Sequence, residues 1–196
     1  TEADGVKTPQ IKANTLSLKE TVYLLYAVDF GEIPEGAEYG MLVWEMEDGA
    51  ELPASFTHKD SANASNLKSA GWQNVGGTKC RIFTYSGLAA KQMTDYVYSV
   101  AYIRYAGDSE YTYSPVSKYS ILQYTIGSAL NDSNRDLLLH LRDYGARAQE
   151  YFGYRTDRLA NGAAAHIKIE GGRSSDGFNG GYYLAGDTLT LIADRE

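Results

Sequence analysis

The spacing of apolar residues changes from alternating to helical near Pro115, and this change constrains the fold more than any other feature. Before it, apolar and polar residues alternate, as they do in β-strands with one buried face. From Tyr113 to Ala160 apolar residues recur at helical spacing, which predicts a helical hairpin. From His166 onward, glycine-rich alternating sequence predicts β-structure again. The expected fold is therefore α+β: an antiparallel β-sandwich or curved sheet, a C-terminal helical hairpin and a short β fragment.

The chain has 196 residues, enough for one domain or for one domain plus a fragment. We expect a linker over 1–13, a module of β-sandwich and α-hairpin over 14–161, and a separate β segment over 162–196. The first two strands are predicted on either side of the Gly/Pro-rich turn at 31–40, and the second contains Trp44 on the same face as Leu42 and Met46. Trp44 is therefore expected in the core. The first of these strands has apolar residues at alternating positions, with a bend predicted near Glu20: Leu16, Leu18, Val22, Leu24, Tyr26, Val28 and Phe30.

Residues 56–77 are polar and rich in Gly, Asn and Ser, which predicts a long loop with room for one short strand. Trp72 lies in this loop beside Gln73 and Asn74. An aromatic ring in a loop has less reason to be in the core than one in an alternating strand, and loops often carry function. Trp72, Gln73 and Asn74 are therefore predicted to contact a ligand.

Tyrosine is unusually frequent, with 17 Tyr against 5 Phe and 2 Trp. Its ring is apolar and its hydroxyl is polar, which suits half-exposed sheet faces and binding surfaces. Tyr98 and Tyr102 share one face of the strand predicted at 96–105, which begins a hairpin. Two interpretations stay open: the rings form an exposed ligand platform, or they lie beneath the helical hairpin.

In the helical region, Ser117 is a plausible N-cap and 131–134 should break the hairpin. The second helix should bury one broad apolar face, and Gly153 should end it. Gly145 lowers helix propensity by about 1 kcal/mol relative to Ala, so close packing is expected there. The apolar face is formed by two neighbouring stripes: Leu137, Leu138, Leu141, Tyr144, Gly145, Ala148, Tyr151 and Phe152.

Charge and composition argue against several functions. The net charge of −7 disfavours nucleic acid as a partner, because binding phosphates needs clustered Lys and Arg. Apolar runs are of strand length, so no membrane insertion is expected. His58, His140 and His166 lack metal-ligand spacing, and no cofactor is predicted. Cys80 stands alone in a strand, where a buried structural thiol is expected.

Catalysis has one weak candidate in the sequence. Glu45 and Glu47 share a strand face and are typical of solvent-facing acids, although a pair of carboxylates across a cleft is what glycoside hydrolysis requires. No catalytic residues are predicted, and a glycan-cleaving enzyme is kept only as a third hypothesis.

Two stretches resemble known sequences of large secreted proteins. YSGLAAKQMTDYVYSVAYI resembles a G-x-x-A-K-x-M-x-D stretch, and DYGARAQEYFGYRTDRLAN resembles the closing signature of the same uncharacterised module of Gram-positive gut bacteria. The tail, Ile167 to Asp194, is similar to internalin-type B-repeats and Ig-like surface repeats. The resemblance implies an extracellular or cell-wall-associated, non-catalytic module of a multi-domain protein.

Two functions follow from these observations. The first is glycan binding or adhesion, with a polysaccharide as partner, because of the tyrosine excess and the loop tryptophan. The second is a structural spacer or a protein-docking module that contacts neighbouring domains in a surface or cellulosome-like protein.

Overall fold

A computed structural model describes residues 7–18, 22–47, 50–128, 135–162, 180–185 and 188–193. The fold is α+β, with two antiparallel sheets followed by helices, as the sequence predicted. The chain divides into two compact units. Unit 1 comprises Thr1–Leu88 and Asp95–Ile121, and unit 2 comprises Ala89–Thr94 and Leu122–Glu196.

The strands that form the two sheets precede the helices along the chain. The strands of unit 1 are β1 (Gln10–Leu18), β2 (Val22–Asp29), β3 (Glu38–Met46), β4 (Ser65–Leu67), β5 (Gly71–Val75), β6 (Thr78–Ser86), β7 (Tyr96–Arg104), β8 (Thr112–Tyr113) and β9 (Ser117–Tyr119). They are followed by α1 (Ile121–Ser128), α2 (Arg135–Phe152), β10 (Gly180–Ala185) and β11 (Thr188–Ala193), and short 3₁₀ turns occur at His58–Asp60 and Ala90–Gln92. Sheet A has the order β1-β2-β6-β5; sheet B has the order β4-β3-β7-β8, with β9 also paired to β7.

The alternation predicted for the first strand is real and spans β1 and β2. Leu16, Leu24, Tyr26 and Val28 are buried on one face, as the period-two pattern requires. The bend predicted near Glu20 lies outside the described residues. The strand begins at Gln10, inside the range 1–13 predicted as a linker, because these residues already pair with the end of β2 through a bulge.

The two sheets pack face to face around an aromatic core. The ring of Phe30 lies 5.3 Å from that of Tyr39 and 6.1 Å from that of Phe83. Near the other end of the core, the hydroxyl of Tyr85 donates to Glu45 Oε2 at 2.9 Å. This packing is that of a β-sandwich, in which side chains of the two inner faces fill the space between the sheets.

Sheet B is also buried on its outer face. Leu42, Trp44, Val100 and Tyr102 form a second apolar cluster there. Half-buried side chains from the loops at 50–64 and 105–111 and from β8 pack against it, and the indole Nε1 of Trp44 donates to the carbonyl of Asp60 at 3.2 Å. Trp44 is only 2% exposed, so its predicted place in the core is confirmed.

The predicted hairpin after β6 is confirmed, but the predicted helix start is wrong. Strand β7 pairs with β8 at Tyr102 and Tyr113. Ser117, predicted as an N-cap, instead belongs to β9 and pairs with Ser99 of β7. Residues 117–119 thereby complete the hydrogen bonding at one edge of β7. Helix α1 begins four residues later, at Ile121. The break predicted at 131–134 lies outside the described residues.

Helix α2 buries one part of the predicted apolar face, at Leu138 and Gly145, and leaves the other part exposed. Its buried residues are Leu138, Arg142, Gly145, Ala146 and Gln149, two of which are polar. Much of the predicted apolar face is exposed, including Leu137, Tyr144, Tyr151 and Phe152. The polar pair is buried because it bonds to the backbone of the loop that follows the helix. Gly153 does end the helix, with φ of 61°.

Strands β10 and β11 form an antiparallel hairpin, with Gly180 opposite Ala193 and Ala185 opposite Thr188. The remainder of the segment predicted at 162–196 lies outside the described residues, apart from Gly162.

Candidate functional site

Strand β5 contains three of the five predicted ligand-binding residues. The sequence placed them in a loop, but they lie on a strand at the edge of sheet A that is paired with β6. Gly76 and Gly77 join the two strands with φ of 57° and 84°, the positive values that a type I′ hairpin turn requires. The Gly-Gly pair is a sequence signal for a hairpin turn. The hairpin was not predicted from it, because the residues of β5 are too polar to show the alternation that is typical of a strand.

Trp72 is the more exposed of the two tryptophans in this chain. It is 57% exposed, whereas Trp44 is 2% exposed. The Nζ of Lys79 lies 4.6 Å from the centre of the Trp72 ring, within the range of a cation–π contact. Arg81 is the cross-strand partner of Trp72, and its guanidinium carbon lies 5.5 Å from the centre of the Tyr39 ring. An accessible indole therefore lies among cationic side chains.

A small recess of about 70 Å³ opens beside the indole. It is lined by Trp72, Lys79 and Arg81 on the strand side and by Phe30, Gly31 and Ile33 on the other. Its volume suits a few water molecules or one small polar group. We call the indole, the two cations and this recess the Trp72 site.

Further positive charge lies near the recess. Lys7 packs over Gly31, so that a Cβ on Gly31 would come within 2.8 Å of the Lys7 side chain. Lys7 Nζ lies 2.7 Å from the carboxylate of Asp29, and Lys12 Nζ lies 4.0 Å from it. Burial by itself raises the pKa of Asp29, but the hydrogen bonds from Lys7 and the Gly31 N–H, together with the charges of both lysines, outweigh it and lower this pKa.

Gln73 and Asn74 do not act together with Trp72 on one face. Side chains alternate along a strand, so Asn74 shares the face of Trp72 and Gln73 lies on the opposite one. Gln73 lines an open groove of about 620 Å³ on the outer face of sheet A. The groove has an uncharged lining of aliphatic, hydroxyl and amide groups, including Thr15, Leu25 and Ile82.

The two predicted tyrosines do not form an exposed platform. Tyr102 is 0% exposed and belongs to the apolar cluster on the outer face of sheet B. The interpretation of its ring as an exposed ligand contact is therefore wrong, because loops cover that face of β7. Tyr98 is half-buried, with its ring stacked 5.1 Å from that of Phe56. Both tyrosines lie on β7 of sheet B, whereas β5 is an edge strand of sheet A.

The sequence analysis missed an aromatic cluster that we define as His58, Tyr102, Tyr111 and Tyr113. The imidazole stacks on Tyr111 at 4.1 Å and meets Tyr102 edge-on at 4.5 Å. Burial lowers the pKa of His58; Glu38 opposes this effect and Arg104 adds to it. His58 is far in sequence from the three tyrosines, so no local pattern could have predicted that it meets them.

In unit 2, the two signature stretches of the sequence contact each other. A Cβ on Gly145 would come within 2.9 Å of Met93 Sδ, which confirms the close packing expected at this glycine. Lys91 Nζ lies 5.4 Å from the ring of Phe152 and 5.1 Å from that of Tyr154. The signature therefore has a structural role in joining the turn at 89–94 to α2.

Two buried polar residues of α2, Gln149 within this signature and Arg142 directly before it, hold the loop after the helix. Arg142 Nε donates to the carbonyl of Ala160 at 3.0 Å. The amide of Gln149 accepts the N–H of Ala160 at 2.8 Å and donates to the carbonyl of Arg158 at 3.0 Å. Backbone groups that would lack partners in the loop are thereby hydrogen-bonded.

Other kinds of site find little support in this molecule. Glu45 is bonded to Tyr85, and Glu47 lies exposed at the end of β3. Over the described ranges, no group of three or more His, Cys, Asp or Glu side chains is arranged to hold a metal ion. Among the helices that the structure describes, none combines the length and apolarity needed to cross a bilayer.

Comparisons with protein-family models, curated proteins and solved structures returned no match.

Proposed function

We propose that this chain is a non-catalytic module of an extracellular, cell-wall-associated bacterial protein, and that it binds a glycan at the Trp72 site. The observation that carries the proposal is the exposed indole on an edge strand, with cationic donors and a recess at its side. Sites for sugars combine an apolar floor with a few polar groups that fix orientation. The signature resemblance supports the extracellular assignment.

Stacking on an indole explains why Trp72 would bear the binding energy. Trp72 is 57% exposed even with Lys79 over its ring, and β5 is held in place by β6 and by the Gly-Gly turn. Interfaces commonly depend on one such aromatic anchor, whose truncation costs about 2 kcal/mol or more. Asn74 lies on the same face and provides an amide at the rim.

The experiment is a glycan panel measured by titration calorimetry or affinity gels with the native chain and with Trp72→Ala. We expect at least one polysaccharide to bind and the variant to lose roughly 30-fold in affinity, the equivalent of about 2 kcal/mol. Tyr151→Ala is the matched control, because Tyr151 is an aromatic residue on α2 that is still more accessible, 82% exposed. Absence of binding to every glycan by the folded chain would refute the proposal.

A protein-docking role is the second candidate, and one observation favours it. Leu137, Tyr144 and Tyr151 recur every seven residues along α2, and each is more than half exposed. An apolar stripe of this kind is typical of a helix that packs on a partner. Sedimentation velocity of the native chain and of Tyr144→Ser/Tyr151→Ser, alone and with adjoining domains, tests this role. Unchanged sedimentation in every mixture would exclude it.

A further inference from the structure

We propose that the glycan bound at the Trp72 site is acidic, and that a sugar carboxylate enters the recess between Lys79 and Arg81 while the sugar ring lies on the indole. This inference rests on the proposed function and names its class of ligand: a polysaccharide that contains uronic acid residues.

The charge around the recess is the first argument. Lys79 and Arg81 line it, and Lys7 lies over Gly31 on its other side. Lys7 and Lys12 both act electrostatically on Cys80, which also borders the recess. The opposing carboxylate, Asp29, is buried and already bonded to Lys7.

This local excess contrasts with the rest of the chain. Lys79 and Arg81 line the recess, and Lys7 and Lys12 lie on the nearby Asp29, in a protein whose net charge is −7. The exposed side chain of Glu32, which follows Gly31, offsets part of the positive charge. Clustered charge of one sign raises the local concentration of the opposite charge and favours its binding, and it does so more strongly at low salt.

The size of the recess is the second argument. At about 70 Å³ it is far too small for a sugar ring, but it accepts a group the size of a carboxylate. Arginine presents a planar fork of donors that matches a carboxylate, and lysine adds a point charge. The ring of the sugar would remain outside, where the indole is exposed.

The arrangement also explains why Lys79 lies against the indole. Its Nζ is 4.6 Å from the ring centre, which fixes an otherwise flexible side chain at the edge of the recess. A cation that is already positioned loses less entropy when a carboxylate binds.

The test compares a galacturonate trimer with its methyl ester, which is the same saccharide without charge. Binding is followed by tryptophan fluorescence, to which the exposed Trp72 responds and the buried Trp44 serves as an internal reference. We expect the acid to bind at least tenfold more tightly than the ester, and the difference to shrink as salt is raised from about 50 to about 200 mM.

Lys79→Gln should weaken binding of the acid at least fivefold and reduce the ratio between the affinities for acid and ester. Lys118→Gln is the matched control, since Lys118 also lies over an aromatic ring, with its Nζ 3.8 Å from the centre of Tyr96. If acid and ester bind with equal affinity and both change the fluorescence of Trp72, the inference is overturned, whereas the proposal of glycan binding is retained. Binding of neither form, nor of any neutral glycan, would overturn both.

Charged quenchers give an independent measurement without any sugar. Iodide should quench Trp72 more efficiently than caesium, and Lys79→Glu should reduce or reverse the ratio. Caesium quenching equal to or greater than iodide quenching in the native chain would refute the positive site. If poly-glutamate competes as effectively as the galacturonate trimer, the site recognises carboxylates without regard to the sugar. That result would overturn the assignment of the ligand to a sugar.

Discussion

The hydroxyl oxygen of Tyr113 lies 2.7 Å from Nδ1 of His58 and 3.2 Å from the backbone nitrogen of the same residue. The hydroxyl thus accepts the backbone N–H, and its own proton satisfies Nδ1 when the ring proton is on Nε2. With Tyr111 stacked on one face, the imidazole lies beside the outer face of sheet B, where burial lowers its pKa.

Acidification should destabilise the fold through His58. Its pKa is lower in the folded chain than the ordinary value of 6.5, because burial disfavours the charged ring. The positive charge of Arg104 lowers this pKa further, and the negative charge of Glu38 partly offsets the shift. The unfolded chain therefore binds the proton more readily, so this contribution to stability is complete above about pH 6.5 and is lost as the pH falls below it. Urea unfolding at pH 7 and pH 5 measures the effect.

The matched variants are His58→Phe and His140→Gln. The first should reduce the loss of stability between pH 7 and pH 5, since the half-buried imidazole that takes up the proton is absent. The second changes an exposed histidine of α2 and should leave that loss as it is in the native chain. The same pH dependence in His58→Phe would contradict this account.

Gly40→Ala should destabilise unit 1 by about 1–3 kcal/mol through overpacking. Gly40 is opposite Tyr102 across β3 and β7, and a Cβ would come 2.5 Å from the tyrosine hydroxyl and 2.7 Å from its ring. The ring has little freedom to move, because it is fully buried and its hydroxyl donates to Asn66 at 2.9 Å. Thermal or urea unfolding provides the measurement.

A double-mutant cycle with Tyr102→Val isolates the clash. The smaller side chain should make Gly40→Ala nearly neutral in that background. If the two changes are simply additive, the contact between the glycine and the ring is not the cause of the loss.

Gln149→Leu should open the loop that follows α2. It leaves the N–H of Ala160 and the carbonyl of Arg158 without their partner, at a cost of about 1–3 kcal/mol for each buried group. Limited trypsin digestion should then cleave faster after Arg155 and Arg158. The neighbouring Glu150→Gln, on the exposed side of the helix, should behave as the native chain does; equal digestion of all three proteins would refute the role of Gln149.

Cys80 should be unreactive until the protein unfolds. It is 0% exposed, and its pKa is raised first by burial and then by the charge of Asp29, although Lys12 and Lys7 oppose this. Thiolates are the reactive species, so both effects protect it. Ellman's reagent should modify the thiol only at urea concentrations within the unfolding transition; rapid modification of the native chain would show that β6 opens without global unfolding.

Patterns that depend on a single buried face were readable from the sequence. The alternation around Leu24, Tyr26 and Val28 predicted a strand with one buried side, since burial selects apolar residues at every second position. The burial of Trp44 was predicted in the same way, because it shares a strand face with Leu42 and Met46. Cys80 was equally clear, because a lone thiol in an apolar strand is usually buried.

Other features depended on tertiary context that no local pattern encodes. Strand β5 is a polar edge strand, and hydrogen bonding to β6 rather than burial determines it. Tyr102 alternates like a surface residue, yet loops from distant positions cover it. The buried face of α2 includes Arg142 because its partner is the carbonyl of Ala160, beyond the end of the helix.

The packing of Met93 on Gly145 has a consequence for how this protein can be divided. The turn at 89–94 belongs with α2, yet the chain enters and leaves it through strands of the sandwich. A fragment that starts after residue 121 would carry the helix without the methionine that fills its groove. A single cut between sandwich and helices therefore cannot keep unit 2 whole, because residues 89–94 would stay on the other side of the cut.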